Sequence, residues 1–208
     1  MFSNYLTFTM SNSARTRACK RFVLLVLIYS FISACSVVTQ DSAVPSDSTS
    51  NPLLAEAVSA MKSGEIDKAQ KLLIRAITQD PQLASAHINL AITLITQKSY
   101  GEAERSLKSA LKVSPNNIIA LNQLGYLYRT TGKFSLAEKN YLKAIDINYE
   151  YANAHLNLGI LYDLYMYDLG RALKHYKIYK KLSKSEDKQV EKWIFDLERR
   201  HKKSLAQK

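Results

Sequence analysis

The chain has 208 residues but only 6 glycines, 4 prolines, 2 cysteines and 1 tryptophan. So little glycine and proline leaves too few turn formers for a strand-rich or linker-rich protein. With abundant Ala, Leu and Lys, the composition points to helices. Acidic residues are also short: 18 against 29 Lys and Arg, a formal net charge of +11. The excess is not spread evenly. Residues 35–170 hold 12 basic against 13 acidic residues, a net of −1, while residues 171–208 hold 13 against 5, a net of +8. A near-neutral centre argues against a nucleic-acid-binding core, whose charge should lie on the face that tracks phosphates. No GxSxG, HExxH, P-loop or GxGxxG pattern occurs, so nothing supports catalysis or a cofactor. Long apolar runs are missing too. The longest, Phe22 to Ile32, has 11 residues, well below the roughly 20 a spanning helix needs.

That length suits the apolar region of a secretory signal. Arg15, Arg17, Lys20 and Arg21 precede it, and Ile32-Ser33-Ala34-Cys35 follows. A start at Met10 would give a more ordinary leader than Met1. An apolar residue, two small residues and a cysteine resemble the lipobox of bacterial lipoproteins. The resemblance implies cleavage before Cys35, a diacylglycerol on its thiol and acylation of the new amine. Cys19 would leave with residues 1–34, so no disulfide is expected. With Ser36 rather than Asp after the cysteine, the resemblance implies the periplasmic face of the outer membrane. Open alternatives are an uncleaved signal anchor and an ordinary secretory peptide. Residues 35–50 read as a flexible tether, rich in Ser, Thr, Asp and Pro, reaching on the order of 20 Å.

The rest of the chain repeats itself. Ala69, Ala103 and Ala137 are 34 residues apart, as are Leu90, Leu124 and Leu158, and Pro81 and Pro115. The third repeat reads Leu121-x2-Leu124-Gly125-x2-Tyr128, then Ala137-x3-Tyr141. The fourth reads His155-x2-Leu158-Gly159-x2-Tyr162, then Ala172-x3-Tyr176. The pattern resembles the tetratricopeptide repeat (TPR). The resemblance implies an all-α solenoid of about four helix-turn-helix repeats over 51–183, with 184–208 as a capping helix and basic tail. Neither helix of such a repeat can bury its apolar stripe alone, so the repeats must stack. Gly125 and Gly159 are expected where helices cross, Gly64 and Gly132 in turns, Pro81 and Pro115 at helix exits. Ala137 to Ala172 spans 35 residues, so one is inserted near 165–170. Bulky Tyr179 replaces the next expected alanine, so stacking should stop there. Val190, Trp193, Ile194 and Leu197 form one apolar stripe of the last helix.

The family's inward-facing positions imply a protein- or peptide-binding groove. They fall on Ser85, Ile88, Asn89, Ile92 and Ile95; on Ile119, Asn122, Gln123, Tyr126 and Arg129; and on Asn153, Leu156, Asn157, Ile160 and Asp163. Mixed apolar and amide side chains suit an extended peptide or a partner helix. Asn89 and Asn157, at matching positions, are also candidates for structural hydrogen bonds. The matching basic set of a carboxylate clamp is not present. His87 and His155 lie two repeats apart, too far for one metal ion, and read as packing residues. His175 and His201 have no ligand-spaced partner, so no metal is expected. Asp163 and Asp168 read as polar residues exposed at a turn. The lysines from Lys174 to Lys188 read as a solvated face, or as a contact for anionic lipid or glycan.

The function this implies is a non-enzymatic envelope adaptor. The stretch from Leu161 through Arg200 is similar to TPR lipoproteins of TonB-type energy transduction. Pilotin-like assembly of a secretin or type IV pilus, and recruitment of peptidoglycan hydrolases, are the alternatives.

Overall fold

A computed structural model describes residues 51–183 and 187–206, with only the backbone of Leu205. The expected signal, the lipidated Cys35 and the tether lie outside the described residues, as do residues 184–186. The described chain forms nine α-helices and no strand. They are α1 Pro52–Lys62, α2 Ile66–Gln79, α3 Ala84–Thr96, α4 Tyr100–Val113, α5 Ile118–Thr130, α6 Phe134–Ile147, α7 Ala152–Leu164, α8 Leu169–Leu182 and α9 Lys188–Leu205. Successive pairs from α1/α2 to α7/α8 make four repeats, and α9 packs on α8. The first helices also touch one another from repeat to repeat, α1 on α3, α3 on α5 and α5 on α7. They therefore form the tighter, inner wall of the stack.

Local chemistry sets the ends. Asn51 and Asn117 accept the N–H of Leu54 and Ala120 at the starts of α1 and α5, satisfying donors that the helix leaves orphaned. Pro81 and Pro115 follow the ends of α2 and α4. Inside each repeat the turn carries one left-handed residue: Gly64 and Gly132 at φ 76°, but Lys98 at φ 61° and Tyr167 at φ 55°. Glu65, Ser99 and Lys133 each donate N–H to the carbonyl five residues back. In the fourth turn Asp168 reaches six residues back, to Tyr162 O at 2.9 Å. The extra residue is absorbed there, where the sequence places it.

Packing explains the glycines. A Cβ on Gly125 would sit 2.5 Å from Tyr141 Cε1, and one on Gly159 would sit 2.6 Å from Tyr176 Cδ1. Each tyrosine of a second helix thus lies directly against the first helix of its own repeat. Repeats are also latched by polar bonds. Tyr128 O–H donates to Glu104 at 3.0 Å, and Tyr162 O–H donates to Glu138 at 2.6 Å, each reaching back one repeat. Arg171 completes the second latch, donating to Glu138 at 2.8 Å with its guanidinium 4.1 Å from the Tyr162 ring centre.

The last helix closes the stack. Val190 and Leu197 are buried and Trp193 lies on Tyr176, ring centres 5.5 Å apart. The Tyr179 hydroxyl donates to Asp187, the residue that caps α9. Lys177–Glu198 and Lys180–Glu191, both at 2.7 Å, tie α8 to α9.

Candidate functional site

The inner wall sorts the expected groove residues into two layers. Ile92, Ile95, Ile119, Gln123, Tyr126, Asn153 and Leu156 are half-buried. Ser85, Ile88, Asn89, Asn122, Arg129, Asn157, Ile160 and Asp163 are buried. Two of these leave the groove as contact residues. Ile88 is 0% exposed and belongs to the central core. Asp163 is not an exposed turn residue either: it is buried and receives Arg200 Nη1 of α9 at 3.1 Å. Burial holds its carboxyl above the usual range, while Arg200 pulls it down. Asp168 instead caps α8 and pairs with Arg171 at 2.7 Å.

The amides behave differently from one another. Asn157 donates Nδ2–H to Asn122 Oδ1 at 3.0 Å, joining the third and fourth repeats. Asn157 Oδ1 and Asn89 Nδ2 have no partner among the described residues. Neither do Ser85 Oγ, Arg129 Nη1 and Tyr141 O–H. An orphaned buried donor or acceptor costs about 1–3 kcal/mol, and protein interiors hold few of them. Here four of the five sit on α3, α5 and α7, at positions the repeat turns inward.

Arg129 is the charged member of this row. It is buried, has no ion-pair partner among the described residues, and rests 5.3 Å from the Tyr126 ring centre. Tyr141 reaches the same region from α6, across Gly125. Burial pushes its phenol strongly up, opposed by the nearby Arg129 charge. The row therefore holds two unpaired donors near Tyr126, an unpaired amide donor from repeat two and an unpaired amide acceptor from repeat four, all shielded from solvent. Around them lie Ile92, Ile95, Ile119 and Leu156, which can bury apolar side chains.

Sequence reasoning missed one constellation. His155 Nδ1 lies 3.0 Å from His175 Nδ1, and His155 Nε2 lies 3.0 Å from the Tyr149 carbonyl. A carbonyl can only accept, so His155 carries its proton on Nε2 and its Nδ1 accepts from His175 Nδ1–H. His87 does the same two repeats earlier, Nε2 to the Pro81 carbonyl at 3.0 Å. Both histidines thus hold the turn six residues upstream. Burial lowers the pKa of His155, and burial with the His155 charge lowers that of His175 to about 4. Among the described residues no third metal-ligating side chain joins them.

Comparison with known proteins agrees with this architecture. Residues 82–150, the second and third repeats, match the family model described as "Tetratricopeptide repeat". Superkiller complex protein 3 of Mus musculus is 28% identical over 147 residues, covering 68% of this chain and 9% of that protein. The chain thus spans a small part of that relative's length. A solved structure of Pseudomonas aeruginosa pilF superposes with a TM-score of 0.67 at 21% identity, covering 74% of this chain and 69% of the other. A thermophilic TPR protein of Thermus thermophilus, TTC0263, gives 0.61 at 22%, covering 70% and 79%. Identities this low speak to fold alone. Repeat pattern, helix pairing and these likenesses together identify residues 82–150 as tetratricopeptide repeats, and the described chain as an all-α solenoid of that kind.

Proposed function

We propose that this chain is a non-catalytic adaptor that holds a segment of another protein along α3, α5 and α7. The observation that carries the reading is the row of orphaned buried polar atoms on the inner wall: Ser85 Oγ, Asn89 Nδ2, Arg129 Nη1 and Asn157 Oδ1. A peptide backbone supplies both a donor and an acceptor at every residue; since the four atoms are shielded in the unliganded chain, pairing with a peptide requires their side chains to turn outward on binding. The half-buried Ile92, Ile119, Tyr126 and Leu156 would cover its side chains. The extended inner surface that stacked repeats create suits an extended occupant better than a small molecule.

The setting of the adaptor is the second part of the proposal. Cys35 carries the lipid, residues 35–50 serve as tether, and the module works at the periplasmic face of a bacterial outer membrane. Similarity of the fourth repeat and α9 to TPR lipoproteins of TonB-type systems supports energy transduction as the process served. Assembly of a secretin or pilus is the competing reading, and recruitment of a peptidoglycan hydrolase is the third.

A photo-crosslinking residue in place of Tyr126, in the intact cell, tests the groove. Capture of one defined envelope protein from Tyr126 and Gln123, with none from exposed Leu142, is the expected result. Capture from Leu142 alone would move the site to the outer wall. Labelling with radioactive palmitate, lost in Cys35→Ala, tests the anchor. A growth defect under iron limitation with secretin rings intact would favour energy transduction over the other two processes.

A further inference from the structure

The outer face of α9 combines a row of cations with one exposed ring. Lys188, Lys192, Phe195, Arg199 and Lys202 follow at steps of four, three, four and three residues, so they stack along one side of the helix. Lys203 flanks them. All six are exposed, and Phe195 is 72% exposed in the middle of the row. From first to last the row runs about 21 Å, at 1.5 Å per residue. Two acids of the helix are drawn to α8, Glu191 to Lys180 and Glu198 to Lys177, and the third, Asp196, pairs within α9, with Arg199 of the row and with Arg200. Lys188 even stands at the first position of the helix, where the helix dipole disfavours a cation. The inner face meanwhile is fully used against α8 through Val190, Trp193 and Leu197.

We infer that this face is a second binding site, which docks the module on an anionic phospholipid surface with Phe195 entering the headgroup region. Cations that meet lipid phosphates around one apolar ring make an interfacial helix. No helix among the described residues is long and apolar enough to cross a membrane, so the contact is peripheral. Nucleic acid suits the face less well. Single strands call for a series of stacking rings, and this row has one, while residues 35–170 carry a net charge of −1. The inference is independent of the groove. It would orient an anchored module by holding one end of the stack against the bilayer.

Trp193 is the chain's sole tryptophan, so Trp193→Phe with Phe195→Trp leaves one reporter at the centre of the row. The full chain is added to vesicles of phosphatidylcholine with brominated acyl chains, with and without phosphatidylglycerol. Quenching of the reporter in the anionic vesicles alone, and its loss in high salt, is the expected result. Each of Lys188→Glu, Lys192→Glu and Lys202→Glu should weaken the docking at least about fivefold, with unchanged circular dichroism. Equal quenching on both vesicle types overturns the inference, because the N-terminus then explains all binding. So does a reporter that responds to an oligonucleotide and not to anionic vesicles. The salt series needs no charge variant, so a misfolded variant does not shield the proposal.

Discussion

The first repeat and the last two solve the same helix crossing in different ways. In repeat one the corresponding residues are Ala57 of α1 and Leu73 of α2, both fully buried in one core. In repeats three and four the pairs are Gly125 with Tyr141 and Gly159 with Tyr176. One methyl is removed from the first helix so that a ring can enter from the second. The aromatic solution buries more surface per crossing, but it brings phenol groups that need partners. Tyr128 and Tyr162 find theirs on the preceding repeat. The corresponding positions in the first two repeats are Ala60 and Leu94, which can donate to nothing. There the repeats are bridged instead by exposed contacts of Gln97 with Asp67 and Gln70. Repeat one accordingly has its own small core, closed by Ala86 of α3, while the rest of repeats two to four and α9 share another. Stability should be graded along the stack, with repeat one its loosest unit.

Truncating a large side chain at each end breaks the comparison most sharply. Tyr176→Ala should cost about 3–5 kcal/mol and Leu73→Ala about 2–5 kcal/mol. The costs overlap, but their reach should not. Hydrogen exchange should rise throughout repeats three and four and α9 for the first, and in α1 and α2 alone for the second. Uniform loss of protection in both would make the stack a single cooperative block.

Next in size is Gly125→Ala. The new methyl collides with a ring that has no room to move, so a loss of about 1–3 kcal/mol is expected, less the gain in helix propensity. Adding Tyr141→Leu converts the crossing to the type of repeat one, and the double variant should be more stable than Gly125→Ala alone. Urea midpoints decide this, and no recovery in the double variant would refute the matched-pair account.

Acid should separate the ends as well. His155 and His175 have folded pKa values below their ordinary value of 6.5. The folded state therefore binds fewer protons than the unfolded one, and stability falls as pH drops below about 6.5. For His175 the loss continues to about pH 4, at up to on the order of 1 kcal/mol per pH unit. Repeat one has no histidine. Melting followed at pH 7 and pH 5 should show the fourth repeat weakening, and His175→Phe should blunt the effect. The smallest change concerns the turns. Lys98→Gly gives repeat two the left-handed glycine of repeats one and three. It should stabilise by about 0.5–1 kcal/mol, as a thermal melt would show.

Much of this fold was legible because it is periodic. The 34-residue step of alanines, leucines and prolines fixed the helix pairs, and Gly125 and Gly159 stood where Tyr141 and Tyr176 need them. The inserted residue was legible for the same reason. Depth was not. A repeat register says which way Ile88 and Asp163 point, but not that Ile88 is wholly enclosed or that Arg200 pairs with Asp163. The His155–His175 pair was hidden because its partners are twenty residues apart on different helices. The expected pairing of amides was half right in kind: Asn157 bonds Asn122 of the preceding repeat, and Asn89 Nδ2 stays unpartnered among the described residues.

Stability of the unliganded chain gives the most direct check on why the inner wall keeps polar atoms it cannot satisfy. If Arg129 and Asn89 are held in reserve for another polypeptide, Arg129→Met and Asn89→Leu should raise the denaturation midpoint, by about 1 kcal/mol or more for the arginine, while capture from Gln123 disappears. A lower midpoint with capture intact would show that these groups support the fold itself, and the groove would lose its claim.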